Sequence, residues 1–206
     1  GESFGQDGGR EVVLFADTFN RAFEPENLNA AMRVLTAGGY RVHLLRPIDA
    51  VEGGNRPLCC GRTFLAAGLV DEARTEARRM VATFKPFVDR DVPIIGLEPS
   101  CLFTLRDELQ AMLPGDDSRK LGEQALLFEE FLDREMDAGH LELPLHALPA
   151  RRLWLHGHCH QKAFNVMGSV QRVLGRIPGS DVRLIPSSCC GMAGAFGYQA
   201  ETYAIS

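Results

Sequence analysis

An α/β fold with parallel strands is predicted by three features of the chain. Short β-branched runs alternate with helical stretches, the strand–helix–strand order occurs twice, and each occurrence is followed by a Cys-Cys-Gly triplet. Val12-Val13-Leu14-Phe15 reads as a buried strand. Pro25 suits a first helical turn, Leu28, Ala31, Met32, Val34 and Leu35 fall on one helical face, and Gly38-Gly39 closes that helix. Arg41-Val42-His43-Leu44-Leu45 supplies the second strand, so the unit is a parallel pair with a right-handed crossover. A helix is expected over 71–88 with Ala73, Ala77, Met80, Val81 and Phe84 inward, then a strand over 93–97. Ser100 is placed to cap a helix starting at Cys101, and a single helix is expected over 119–138.

The pattern then restarts. Setting Leu14 on Leu155 places Ala22-Phe23 on Ala163-Phe164 and Thr18 on Cys159. The second copy reads as a strand over 153–155, a helix over 163–174 and a strand over 182–185, closing on Cys189-Cys190-Gly191. This is the signature of an internal duplication. The expected organisation is a linker or terminal addition over 1–10, a first repeat over 11–150 and a truncated second repeat over 151–206.

Composition bounds the function. The 206 residues carry 45% hydrophobic and 24% charged side chains, enough for a packed core. With 22 basic against 27 acidic residues the net charge is −5, which gives no general attraction for a nucleic-acid backbone. The longest apolar stretches, such as 64–70, are far short of a membrane span, and no secretion signal opens the chain.

Six cysteines remain to be explained: Cys59, Cys60, Cys101, Cys159, Cys189 and Cys190. A disulfide framework fits small secreted domains better than a chain of this size, and adjacent cysteines bridge each other only with strain. Buried small hydrophobes would not account for two Cys-Cys-Gly triplets. Each cysteine instead follows a predicted strand, where the loops of a parallel sheet converge. A Cys-Cys pair serves one centre only if the chain turns sharply, and Gly61 and Gly191 tolerate the positive φ of such a turn. Cys101 and Cys159 stand at helix starts, where the helix dipole favours thiolate. Thiolates select iron–sulfur, zinc or Cu(I) centres. The C-x₂-C knuckles of zinc sites and the cysteine run of bacterial ferredoxins are both absent.

Four stretches together resemble the cysteine-rich CCG domain family. They are Leu58-Cys59-Cys60-Gly61-Arg62, Gly96-Leu97-Glu98-Pro99-Ser100-Cys101, His156-Gly157-His158-Cys159-His160-Gln161-Lys162-Ala163 and Ser188-Cys189-Cys190-Gly191-Met192-Ala193-Gly194. That family includes heterodisulfide reductase B subunits, the iron–sulfur subunit of glycolate oxidase and anaerobic glycerol-3-phosphate dehydrogenase. The wording is most similar to the C-terminal part of fusions that also carry an FAD-binding 2-hydroxyacid oxidase domain and a ferredoxin-like domain. The resemblance implies a duplicated α/β domain whose six cysteines ligate an iron–sulfur cluster, one 4Fe-4S-type centre, passing electrons from FAD on a separate domain. The implied partners are the FAD-binding oxidase domain or subunit and a ferredoxin-like domain or other acceptor. The expected location is cytoplasmic, peripheral to a membrane through partners. Thr18 stands where the first repeat's opening cysteine is usual in two-cluster relatives, which argues for one centre. A closing cysteine of the second repeat would lie past Ser206, so this chain is expected to bind iron poorly and to be inactive alone. A cluster-based disulfide reductase and a structural zinc or thiol interaction module are the alternative readings.

Other polar residues carry paired readings. His156, His158 and His160 alternate, with Cys159 on the opposite face of an extended backbone, and suit either the centre's surroundings or loop hydrogen bonding. Arg62, Gln161 and Lys162 follow cysteine turns and suit either tuning of the centre or solvation. His43, His140 and His146 are expected at the surface. Gly191, Gly194 and Gly197 do not have the dinucleotide-binding spacing.

Overall fold

The computed structural model describes residues 1–47, 56–149, 152–188, 190–192, 194 and 196–205, in two units, Gly1–Leu143 and Pro144–Ser206. In chain order the first unit contains β1 (Glu2–Phe4), β2 (Arg10–Leu14), α1 (Thr18–Ala22), α2 (Pro25–Ala37) and β3 (Tyr40–Leu44). It continues with α3 (Arg62–Ala66), α4 (Val70–Val88), β4 (Ile94–Gly96), α5 (Pro99–Arg106), α6 (Glu108–Met112), α7 (Asp116–Gln124), β5 (Ala125–Leu127) and α8 (Phe128–Asp137). Its sheet runs β1-β3-β2-β4-β5 and is parallel throughout except for β1.

The central strands lack polar alternation because both faces are covered, as parallel sheets require. Val12, Val13, Leu14, Val42, Ile94 and Ile95 are all buried, with Val12 opposite Val42 and Val13 opposite Ile94. Helix α4 buries Ala73, Ala77, Met80 and Phe84 at helical spacing, and Phe84 meets Phe15 edge-to-face at 5.7 Å. Each large aliphatic side chain so buried contributes about 1.5–3 kcal/mol.

Four expectations for the first unit are corrected. Residues 1–10 supply β1, which pairs antiparallel with β3; three residues are too few to show a period in the sequence. The helix expected over 119–138 is two helices separated by β5, because Ala125, Leu126 and Leu127 pair with β4 although helix-prone by composition. Glu98, not Ser100, caps α5: its carboxylate accepts from the Ser100 backbone N–H at 3.1 Å, and Pro99 takes the first helical position. His43 is buried on β3, hydrogen-bonded to Ser3 at 2.8 Å, facing Glu11 at 3.3 Å and packed on Phe87.

The second unit comprises β6 (Arg152–Leu155), α9 (Cys159–Ala163), α10 (Met167–Gly175) and β7 (Asp181–Leu184), with β6 and β7 parallel. The helix expected over 163–174 starts later, as α10 at Met167, since Asn165 at φ +56° ends the preceding α9 and the Val166 N–H turns back to the Gln161 carbonyl. Among the described residues no helix is long and apolar enough to cross a membrane.

Candidate metal centre

Three cysteines of the first unit meet beyond the carboxyl ends of its central strands. Gly61, at φ +83°, turns the chain after Cys59-Cys60 and opens α3. An added Cβ there would stand 3.1 Å from the Ala73 carbonyl oxygen, so the turn is pressed against α4. Cys101 sits in the first turn of α5, set by the Glu98 cap after β4. Cys60 and Cys101 are each only 3% exposed, and their sulfurs lie 3.2 Å apart. Cys59, half-buried, hydrogen-bonds with Cys60 and receives the Thr18 hydroxyl and the Gly61 N–H. The Arg62 N–H points at the Cys60 sulfur.

These contacts set the thiols' chemistry. Sharing of the Cys59 proton with Cys60, together with burial, pushes the Cys59 thiol well above its ordinary range. The hydrogen bond to Cys101 and burial push Cys60 up to about 12. A metal bound by these thiols would have to displace their protons, and a sulfur-only donor set is the kind that suits soft metals and iron–sulfur clusters. Cys59, Cys60 and Cys101 are not in disulfides. Among the described residues no three His, Cys, Asp or Glu side chains are disposed around one metal ion.

The second unit holds Cys159 and Cys190, while Cys189 lies outside the described residues. Cys159 is exposed at the first position of α9, following β6. Cys190 is exposed and follows β7, and Gly191 has φ +85°. The extended backbone expected through the histidines is corrected: His158 is the N-cap of α9, accepting from the His160 N–H at 3.1 Å, while the two rings stack at 5.2 Å on one side. A reciprocal cap from Gln161 to the His158 N–H starts the helix early, so Cys159 and His160 are helical rather than extended. Lys162 is not merely solvated. Its ammonium donates to the Ser187 carbonyl at 2.7 Å and the Ser188 carbonyl at 2.8 Å, tying α9 to the loop before the second cysteine pair. Arg62 pairs with Glu108 and reaches Thr104 at 3.5 Å. Sequence reading missed Glu108, Glu76, Arg79 and Arg21, which look like ordinary charged helix positions; only their burial or carbonyl partners distinguish them.

Taken together, the first unit is a parallel α/β fold that gathers cysteine thiols at the carboxyl end of its sheet. Residues 18–106 match the family model of the CCG cysteine-rich domain. It is 30% identical over 197 residues to a subunit of the anaerobic glycerol-3-phosphate dehydrogenase of Escherichia coli K12, the match covering 95% of this chain and 47% of that protein. It is 30% identical over 196 residues to D-2-hydroxyglutarate dehydrogenase of Pseudomonas putida, covering 93% of this chain and 17% of that protein. Lactate utilization protein A of Bacillus subtilis is 23% identical over 193 residues, covering 90% of this chain and 74% of that protein. The chain thus spans about half the length of the first of these relatives. No solved structure matches it.

Proposed function

We propose that this chain is an electron-transfer domain of an FAD-linked 2-hydroxyacid dehydrogenase, holding one 4Fe-4S-type cluster. The observation that carries the reading is the sulfur-only meeting of Cys59, Cys60 and Cys101 within the residues that match the CCG family model. Cys159, Cys189 and Cys190 would complete the ligand set. Such a cluster supplies one-electron transfer when bound.

The protein's part is to hold and tune. The Thr18 hydroxyl and the Gly61 and Arg62 N–H groups donate toward the cysteine sulfurs, the kind of hydrogen bonding that raises a cluster's potential. Relatives named as dehydrogenases of glycerol 3-phosphate and 2-hydroxyglutarate support a partner domain that oxidises the substrate, with FAD there and a ferredoxin-like acceptor beyond. Thiols outside disulfides suit the reducing cytoplasm.

The halves are read as duplicates, 11–150 and 151–206. Both run strand, short helix, helix, parallel strand, then Cys-Cys-Gly with the glycine at φ +83° or +85°. Thr18 and Cys159 each open the short helix, and the preceding Asp17 and His158 each cap it through a side chain.

The test is anaerobic reconstitution with iron and sulfide, followed by visible absorption and electron paramagnetic resonance. A broad band at roughly 400 nm, at partial iron occupancy and bleached by reductant, is the expected result for cluster charge transfer. Colourless protein with stoichiometric zinc would contradict it.

A further inference from the structure

Three consecutive carbonyls ahead of the cysteine pair are each met by an arginine side chain. Arg79 on α4 donates to the Arg56 carbonyl and, at 3.4 Å, to the Pro57 carbonyl. Arg21 on α1 donates to the Leu58 carbonyl at 3.4 Å. The Arg79 side chain is only 1% exposed, as is that of Glu76, one helical turn earlier, whose carboxylate accepts from Arg79 at 2.6 Å and also pairs with Arg56. A buried ion pair costs desolvation that apolar residues would avoid, so α4 gains nothing from it as a helix. What it achieves is a guanidinium fixed in one orientation with donors aimed at a loop. Gly61 packs on the same stretch of α4, against Ala73 and Glu76, so one helix face holds the chain on both sides of Cys59-Cys60.

We propose that Arg79, oriented by Glu76, and Arg21 are positioning residues that preset the Cys59–Cys60 turn before any centre binds. The proposal rests on reading those cysteines as ligands and adds the device that aims them. A segment of irregular backbone carrying two ligands loses conformational freedom when a centre assembles. Fixing its carbonyls beforehand removes that cost from the binding step.

The test uses the metal-free chain at one pH and reads the alkylation rate of buried Cys60 by mass spectrometry, with exposed Cys190 as internal reference and amide exchange in β2 and β4 as a monitor of global opening. Arg21→Met loses only the Leu58 contact named here and keeps the buried pair; Arg79→Lys shortens the donor at the other two carbonyls. Cys60 is expected to react about tenfold faster in each variant, the population change that one lost charge-assisted hydrogen bond brings. Cys190 and the strand amides should be unchanged, and Arg21→Lys should restore part of the protection. Unchanged Cys60 reactivity in folded Arg21→Met would overturn the proposal, as would acceleration matched by faster exchange throughout β2 and β4. Should Arg79→Lys fail to fold, Arg21→Met decides alone. Iron uptake by the unaltered chain is scored separately, so loss of the cluster reading and loss of the clamp are distinguishable.

Discussion

Cys60 and Cys101, 41 residues apart in the chain, bring their sulfurs to 3.2 Å. The approach follows from topology: β3 and β4 flank β2 in the parallel sheet, so the segments leaving their carboxyl ends face each other above it. Cys60→Ser and Cys101→Ser should each abolish iron uptake and cost about 1–3 kcal/mol of stability, because a hydroxyl replaces a thiol in a buried site. Iron analysis and denaturant unfolding of the metal-free variants separate the two effects.

Much of this arrangement was legible in the sequence, and the gaps have physical causes. β2, β3 and β4 announce themselves because double-sided burial demands β-branched runs. β5 does not, because Ala-Leu-Leu is committed to the sheet only by its neighbour β4. The approach of Cys60 to Cys101 follows strand ends that the sequence pattern showed, whereas the Thr18–Cys159 correspondence rests on motif spacing and stays a proposal. The burial of His43 could not, because β1, whose Ser3 bonds its ring, left no signal. Charged helix residues such as Arg79 and Glu76 gave no sign of burial, since an i, i+3 pair looks the same on either face.

Gly61 has a positive φ and only tight space for a side chain, 3.1 Å from the Ala73 carbonyl oxygen. Gly61→Ala should destabilise the first unit by about 1–2 kcal/mol from backbone strain alone, with the contact to Ala73 adding to that. Gly8, also at positive φ but with nothing within 4 Å, serves as the comparison: Gly8→Ala should lose only the strain component. Urea midpoints at constant slope read the difference.

Acid should weaken the first unit through Glu135. Burial pushes this carboxyl up, but the Tyr40 hydroxyl at 2.7 Å and the Arg10 and Arg134 guanidiniums outweigh it and hold it below the ordinary range. His140 also faces it at 3.5 Å. A depressed folded value contributes stability that is complete above the unfolded value, about 4.3, and is lost as pH falls through the folded one. Glu135→Gln should therefore be less stable at pH 7 and show a shallower loss below about pH 4.3. Denaturant midpoints measured across that range check both.

Lys162 links α9 to the loop that carries the second cysteine pair. Lys162→Met should leave the Ser187 and Ser188 carbonyls without that donor. It should lower the stability of the second unit by about 1.5–3 kcal/mol, the range for hydrogen bonds to a charged group. Amide exchange in 187–192 should rise while that in β2 stays fixed.

The central proposal is that the six cysteines are ligands of one cluster. Its most direct test is iron and sulfide content, with electron paramagnetic resonance, after parallel anaerobic reconstitution of the unaltered chain, Cys60→Ser and Cys190→Ser. The account predicts that whatever cluster signal the unaltered chain acquires disappears in both variants. Retention of that signal in Cys190→Ser at the unaltered level would show a centre held by the first unit alone and contradict it.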